Sequence, residues 1–186
     1  MANKFSFDKL LVVDLEATCW ETREESNRNT SEIIEIGLAL INLRTEQIEK
    51  NEGFIVKPTI SKVSEFCTKL TTITQEQVDK GLSFERACAK IITNYKSREI
   101  PWASFGNYDY KMVDRQCRRE GVLNPFSDQH INVKLLASLL DKPNFRRSGM
   151  DGVLTNLGIE LEGTHHRGVD DAKNIAKIWL KLTGTQ

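Results

Sequence analysis

The sequence has few of the residues that cross-link or interrupt a chain, with four cysteines and four prolines among 186 residues. The cysteines lie far apart and form no C-x-x-C pair, which excludes the usual spacing of a zinc site and a dense disulfide framework. We therefore expect reduced thiols. Long hydrophobic runs are also missing, because the longest, residues 10–13, falls far below the ~20 residues that cross a bilayer.

An excess of charge of one sign is absent as well, since Lys and Arg number 26 and Asp and Glu number 26. This balance excludes bulk attraction to phosphate, so a nucleic-acid partner has to be held by a local patch or by bound cations. The first residues carry charges where a secretory signal needs an apolar stretch, so we expect a cytoplasmic protein with no membrane partner. The length predicts a single domain over residues 1–186.

Hydrophobic periodicity predicts strands early in the chain and mainly helices after Pro58. Strands are expected over residues 7–13, 33–42, 48–56 and 100–105, and the first three suggest an antiparallel meander. The polar residues 21–31 are expected to form a surface loop. Helices are expected over residues 63–70, 133–140, 150–157 and 172–182, and also near 74–77, from 83 onwards and after 109. This order predicts an α/β or α+β domain with a mixed sheet and helices packed on it.

Two carboxylates, Asp14 and Glu16, come directly after the first predicted strand. In an extended chain, residues two apart lie on one face, about 7 Å from each other. Two hard oxygen ligands on one face suit Mg²⁺ or Mn²⁺. A carboxylate beside a buried strand is costly unless a cation or a donor compensates it. A solvated strand end is the alternative interpretation.

A second acid, Asp109, follows the fourth predicted strand. The aromatic residues Trp102, Phe105 and Tyr108 precede it and offer faces on which a nucleobase could stack. Asp109 would serve equally well as the N-terminal acid of the following helix. The aromatic residues are also suitable core material.

The segment before the last predicted helix contains the spacing H-x-x-x-x-D twice, from His165 to Asp170 and from His166 to Asp171. Helical spacing from Asp171 leads along the apolar stripe, whereas spacing from Asp170 leads along the polar face. We therefore expect Asp171 to point at the sheet, and Asp170 to point at solvent, where it could cap the helix. A histidine one loop before a buried acid is a candidate general base.

Residues 14–19, 106–109 and 166–174 resemble the three exonuclease motifs of the DEDDh 3′–5′ exonucleases. The similarity is greatest to the eukaryotic branch that trims small RNAs, histone mRNA ends and ribosomal RNA, and residues 32–36 and 66–75 match that branch too. The resemblance covers about residues 7–182. It implies an RNase H-like fold with a five-stranded mixed sheet flanked by helices.

The resemblance also implies roles for individual residues. Asp14, Glu16, Asp109 and Asp171 would bind two Mg²⁺ or Mn²⁺ ions. Glu16 and His166 would be the catalytic residues, with His166 as the general base. Substrate contacts are expected from Glu16, Ala17, Thr18, Phe105, Tyr108 and His166. Thr72 departs from the glycine common in this branch, and we expect it to alter the fit around the 3′ nucleotide. No appended nucleic-acid-binding domain is expected.

The expected activity is a metal-dependent 3′–5′ exonuclease acting on single-stranded RNA or DNA 3′ ends, with RNA favoured, that releases nucleoside 5′-monophosphates. A DNA-directed proofreading or repair exonuclease and a catalytically silent nucleic-acid-binding module are the alternatives. Basic residues within 111–119 and 142–147 could hold the substrate backbone, or they could be a solvated charged face.

Overall fold

The computed structural model describes residues 5–140 and 148–184, and its centre is a five-stranded sheet with strand order β3-β2-β1-β4-β5. The strands are β1 Lys9–Ala17, β2 Ile33–Asn42, β3 Gln47–Ile55, β4 Trp102–Ser104 and β5 His130–Asn132. Strands β1, β2 and β3 pair antiparallel, as the meander predicts, whereas β4 pairs parallel with β1 and β5 pairs parallel with β4. The mixed sheet expected from the resemblance is confirmed.

Helices fill most of the chain between and after the strands. They are α1 Arg23–Arg28, α2 Glu65–Thr71, α3 Gln75–Asp79, α4 Phe84–Tyr95, α5 Tyr108–Glu120, α6 Val133–Leu140, α7 Met150–Asn156 and α8 Gly168–Thr183. Side-chain oxygens of Thr22, Ser64, Thr74 and Ser83 accept backbone N–H groups at the first turns of α1 to α4. These caps satisfy donors that a helix start otherwise leaves without a partner.

Alternation along β1 divides the hydrophobic core into two layers. Leu11, Val13 and Leu15 pack into one cluster, and Leu10 and Val12 pack into the other. The first cluster draws on α4 and α5 through Phe84, Ile91, Met112 and Val113, and the second on α7 and α8 through Val153, Ile175 and Ile178. Helices therefore cover both faces of the sheet, and its central strand is buried.

Three expectations about secondary structure were wrong. Residues 21–31 are not all loop, because Thr22 and Glu25 form a capping box that starts the short helix α1, which buries none of its residues. The first strand does not end before Asp14 but continues to Ala17. The last helix begins at Gly168 with Arg167 at its N-cap, so Asp170 does not cap it.

Two expectations about the chain as a whole concern its thiols and the membrane. The four cysteines are free, as expected. Within residues 5–140 and 148–184, no helix has both the length and the hydrophobicity that crossing a bilayer requires.

Candidate active site

Strand β1 places two acids on the face that packs against α8. Leu10 and Val12 occupy this face lower on the strand, and the same alternation carries Asp14 and Glu16 onto it near the C-terminal end. In the antiparallel register, Asp14 lies opposite Gly37 and Glu16 opposite Glu35 on β2. A register shift follows between Glu16 and Ala17. The D-x-E pair is therefore part of the central strand and not a solvated strand end.

Asp109 joins this site from the first turn of α5. Its side chain is 4% exposed, and its Oδ1 accepts the backbone N–H of Leu15 at 3.0 Å. The nearby buried Ser104 also acts to lower the pKa of Asp109. Asp109 is thus both an N-terminal helix acid and a group fixed beside β1, so the two interpretations of its position are compatible.

Asp171 enters from the first turn of α8, and its register follows the prediction. The residue is 4% exposed, whereas Asp170 is half-buried and accepts the N–H of Thr164 at 2.8 Å. Oδ2 of Asp171 accepts the backbone N–H of His166 at 2.9 Å and lies 3.0 Å from Nδ1 of His165. This places the histidine turn directly against the acid.

The four acids form one site with an unfavourable concentration of negative charge. Carboxylate oxygens of Asp14, Glu16 and Asp171 lie within 4.8 Å of one another, and Asp109 lines the same cleft. Burial and then the charge of Asp109 raise the pKa of Asp14 well above its usual value. Burial and then Asp171 raise the pKa of Glu16 to about 9. The site therefore favours either protons or cations on its carboxylates.

The other two acids each have nearby donors that oppose the rise of their pKa. Burial raises the pKa of Asp109 to about 6, while the N–H of Leu15 opposes that rise. Burial also raises the pKa of Asp171, and the imidazole of His165 opposes it. For His166, burial and then the charge of His165 lower the pKa. A neutral imidazole is thereby favoured, which is the form that accepts a proton.

The acids and the histidines line an open cleft of about 290 Å³. Its described lining residues are Asp14, Leu15, Glu16, Phe105, Tyr108, Asp109, Gly149, Met150, His165, His166 and Asp171. Tyr108 is 55% exposed, so its ring is available to a ligand. Of the predicted substrate contacts, Ala17 and Thr18 are not among these lining residues. Both are buried, and the Thr18 hydroxyl accepts the N–H of Glu32 at 2.9 Å.

A buried ion pair fixes the turn that carries His166. Nε and Nη2 of Arg167 donate to the two carboxylate oxygens of Glu35 at 3.2 and 3.1 Å, and the N–H of Gly168 donates to the same group at 2.8 Å. Glu35 is 1% exposed and is the third residue of the mainly apolar strand β2. The sequence reasoning assigned no role to Glu35 or Arg167. An acid inside an otherwise apolar strand was the available signal, because it requires a buried partner.

Close contact between two glycines brings α8 to the sheet. A Cβ on Gly37 would lie 1.9 Å from the carbonyl carbon and oxygen of Gly168, so only glycine at position 37 permits this approach. Nδ2 of Asn51 donates to the carbonyl of Val169 at 2.8 Å and adds a second link, from β3. The first turn of α8, with Asp171, is thereby held over the C-terminal end of β1.

Basic side chains on α5 make ion pairs within the chain. Nη2 of Arg118 lies 3.1 Å from Oδ2 of Asp114, and Nη2 of Arg119 lies 3.4 Å from Oε1 of the buried Glu32. Arg118 and Arg119 are therefore paired with acids of the same chain. This favours the interpretation as a charged surface over the interpretation as a substrate-binding patch for these two residues. The second basic segment, 142–147, lies outside the described residues.

Comparison with known proteins identifies the family. A family model described as Exonuclease (RNase_T) matches residues 11–179. The chain belongs to this exonuclease family. The 3′-5′ exoribonuclease 1 of Mus musculus is 33% identical over 187 residues, which cover 95% of this chain and 53% of the mouse protein. The chain thus spans about half the length of that relative.

Two solved structures are similar to this exonuclease-family chain throughout. The nuclease domain of 3′hExo, a DEDDh family member bound to rAMP, gives a TM-score of 0.87 at 31% identity, with 95% of this chain and 92% of that domain covered. A 3′-exonuclease solved with a histone mRNA stem-loop gives a TM-score of 0.85 at 31% identity, with 95% and 81% covered. The predicted branch of the DEDDh exonucleases and the RNase H-like fold are confirmed. This family uses divalent metal ions, and the acidic cluster offers hard oxygen donors that fit them.

Proposed function

We propose that this chain is a metal-dependent 3′–5′ exonuclease that hydrolyses the terminal phosphodiester of single-stranded nucleic acid and releases nucleoside 5′-monophosphates, with RNA favoured. The observation that carries the proposal is the convergence of four acids and His166 in one cleft, from three distant parts of the chain. The names of the relatives support RNA, because they describe an exoribonuclease, a complex with rAMP and a complex with an mRNA stem-loop. Residues 1–186 form one exonuclease domain in this proposal, and a cytoplasmic location stays a prediction.

Asp14, Glu16, Asp109 and Asp171 would hold two divalent ions, for which we propose Mg²⁺ or Mn²⁺. Carboxylate oxygens are the donors that both ions prefer, and the raised pKa values of Asp14 and Glu16 indicate a site that is short of positive charge. When bound, such ions activate the attacking water and stabilise the leaving 3′ oxygen. Asp109 would hold its position through the N–H of Leu15.

His166 would accept the proton of the attacking water on its ring. Its lowered pKa keeps the imidazole neutral and ready to take that proton near physiological pH. Phe105 and Tyr108 line the cleft beside the acids and would border the base of the terminal nucleotide, with the exposed ring of Tyr108 available for stacking. Ala17 and Thr18 are buried, so any substrate contact that they make would have to come mainly from their backbone.

The test compares single-stranded RNA and DNA of one sequence, labelled at the 3′ end, with Mg²⁺, with Mn²⁺ and with EDTA. We expect the label to leave as a nucleoside 5′-monophosphate, faster from RNA, and not at all in EDTA. Faster release from DNA would favour the repair exonuclease. Binding without release in either metal would favour the silent binding module.

Two neighbouring acids provide a matched pair of variants. Asp171→Asn removes a proposed metal ligand, so we expect a folded protein with no measurable hydrolysis. Asp170→Asn changes the adjacent carboxylate, which points away from the cluster and bonds Thr164, so we expect most of the activity to remain. Near-normal turnover by Asp171→Asn would contradict the assignment.

A further inference from the structure

The C-terminal ends of three strands meet at the edge of the sheet where the cleft lies. Strand β4 runs parallel to β1 and β5 runs parallel to β4, so the chain leaves both strands at the end of β1 that carries Asp14 and Glu16. Helix α5 begins after β4, and helix α6 begins directly after β5. Nδ2 of Asn132 donates to Oδ1 of Asn107 at 3.1 Å and joins the two helix starts. The first turn of α6 therefore lies at the same edge of the sheet as the acids, where open sheets of this kind bind ligands.

Lys134 stands in this first turn, although nothing in its own helix stabilises it there. The helix dipole disfavours a cation at a helix start, and α6 has no acid in its first turn. In the described part of the chain, Lys134 makes no ion pair. Its Nζ lies over the ring of Phe105, 5.8 Å from the ring centroid, within the range of a cation–π contact. Since Phe105 lines the cleft, the ammonium group of Lys134 lies at the margin of the cleft.

A strand whose 3′ end occupies the cleft needs such a cation beyond the metal site. The four acids and the two divalent ions proposed to bind them have cancelling charges, so this cluster offers no excess positive charge to phosphates further along the strand. Each of those phosphates carries a negative charge that a basic side chain can neutralise. Arg118 and Arg119 are already paired with acids of the chain. Lys134 is unpaired and contacts a residue that lines the cleft.

We propose that Lys134 binds the second phosphate from the 3′ end of the substrate, on the 5′ side of the penultimate nucleotide. This inference rests on the proposed function, because it assumes that the first phosphate from the 3′ end is the one hydrolysed at the acids. An ammonium group binds a phosphate as a point charge and reads neither base nor sugar. The contact therefore serves strands of any sequence, and it needs a substrate of at least three nucleotides.

Arg115 is the competing residue, because its charge acts on Tyr108, the other aromatic side chain of the cleft. It stands in the second turn of α5, however, and its Nη2 contacts Sδ of Met112 at 2.7 Å. Arg115→Gln therefore tests whether the strand leaves the cleft along α5 instead. Lys181→Gln removes an exposed lysine from the last turn of α8 and is the matched control for loss of one positive charge.

The first measurement removes the charge from each side of the proposed contact. Hydrolysis of a four-nucleotide RNA is compared with that of the same RNA carrying an uncharged methylphosphonate at the second linkage from the 3′ end. For the wild type we expect the methylphosphonate to raise KM about fivefold and to leave kcat nearly unchanged, because a charge-assisted binding contact is lost. Lys134→Gln should raise KM for the unmodified RNA by a similar factor and should not respond to the methylphosphonate. Lys134→Arg and Lys181→Gln should behave as the wild type does. Equal response of the wild type and Lys134→Gln to the methylphosphonate, or a loss confined to Arg115→Gln, would overturn the proposal.

The second measurement is binding without turnover. The same RNA is given a terminal methylenephosphonate, in which carbon replaces the leaving 3′ oxygen, and its affinity is measured by fluorescence anisotropy with Mg²⁺ at several salt concentrations. We expect the plot of log affinity against log salt to be less steep by about 0.7 for Lys134→Gln, the change for one phosphate contact on a single strand. An unchanged slope and affinity would overturn the contact. If no protein hydrolyses the unmodified RNA while this difference in binding is present, the Lys134 contact stands and the proposed function fails.

Discussion

Stability of the metal-free protein should fall with rising pH because of Glu16. Its pKa is about 9 in the folded chain, against an ordinary value of 4.5. Between these two values the folded protein binds a proton that the unfolded chain has released. Stability therefore decreases as pH rises through this window, and the loss ends once pH passes the folded pKa. The perturbation that isolates the effect is Glu16→Gln, which keeps the shape and removes the titration.

The size of the effect follows from the pKa difference. One proton of difference changes the free energy of unfolding by about 1.4 kcal/mol per pH unit. From about pH 7 to about pH 8.5, Glu16 should thus cost the metal-free wild type about 2 kcal/mol relative to Glu16→Gln. The pKa of Cys67, lowered to about 7 by the thiol of Cys19, also changes stability in this range. The charge of Cys67 also helps to raise the pKa of Glu16, so part of this contribution enters the difference between the two proteins.

The assay is urea denaturation of both proteins in EDTA at the two pH values, followed by far-UV circular dichroism. We expect Glu16→Gln to be the more stable protein at both pH values, and its advantage to grow by about 2 kcal/mol from the lower to the higher. Addition of Mg²⁺ should reverse the order, because cations then bind the ionised carboxylates of the wild type and stabilise the folded state. Parallel pH dependence of the two proteins in EDTA would refute the reasoning.

Three further substitutions test the supports of the site by urea denaturation. Glu35→Ala leaves the partly buried Arg167 without its partner and should cost about 3–5 kcal/mol, whereas a loss below about 1 kcal/mol would show that the pair is dispensable. Gly37→Ala places a Cβ against the backbone of Gly168 and should cost about 3 kcal/mol with reduced turnover, and an unchanged midpoint would contradict this close contact. Thr72→Gly relieves a left-handed φ of 63° and should stabilise by about 1 kcal/mol, so destabilisation would indicate that the Thr72 side chain matters more than its backbone strain.

Much of the site could be predicted because it depends on simple periodicities. Alternation along one strand places Asp14 and Glu16 on the same face whatever the rest of the chain does. Helical spacing from Asp171 to the apolar stripe was enough to separate it from Asp170. Both rules act over a few residues, so the sequence contains all the information they need. The meeting of these acids with Asp109 was expected from the resemblance and not from any local pattern.

The elements that were missed lack a periodic signal. Helix α1 is polar on all sides, so only its capping box at Thr22 and Glu25 marks it. Strand β5 has three residues, His130–Asn132, which is too short for alternation to be visible, and the count of five strands came from the resemblance. The stacking of His165 on His166 depends on a positive φ at a non-glycine residue. No residue preference predicts that conformation, since it is imposed by contacts with distant parts of the chain.

The acids on β1 and the histidines on the turn differ in how freely they can move within the cleft. This strand pairs with β4 at Leu11 and Val12 and with β2 at Asp14 and Glu16, so the two acids cannot shift without breaking their pairing with β2. His165 and His166 sit instead on a turn held mainly by side chains. We therefore expect the acids to keep their positions when a nucleotide binds or leaves. The side chains of His165 and His166 should make most of the movement that binding and release require.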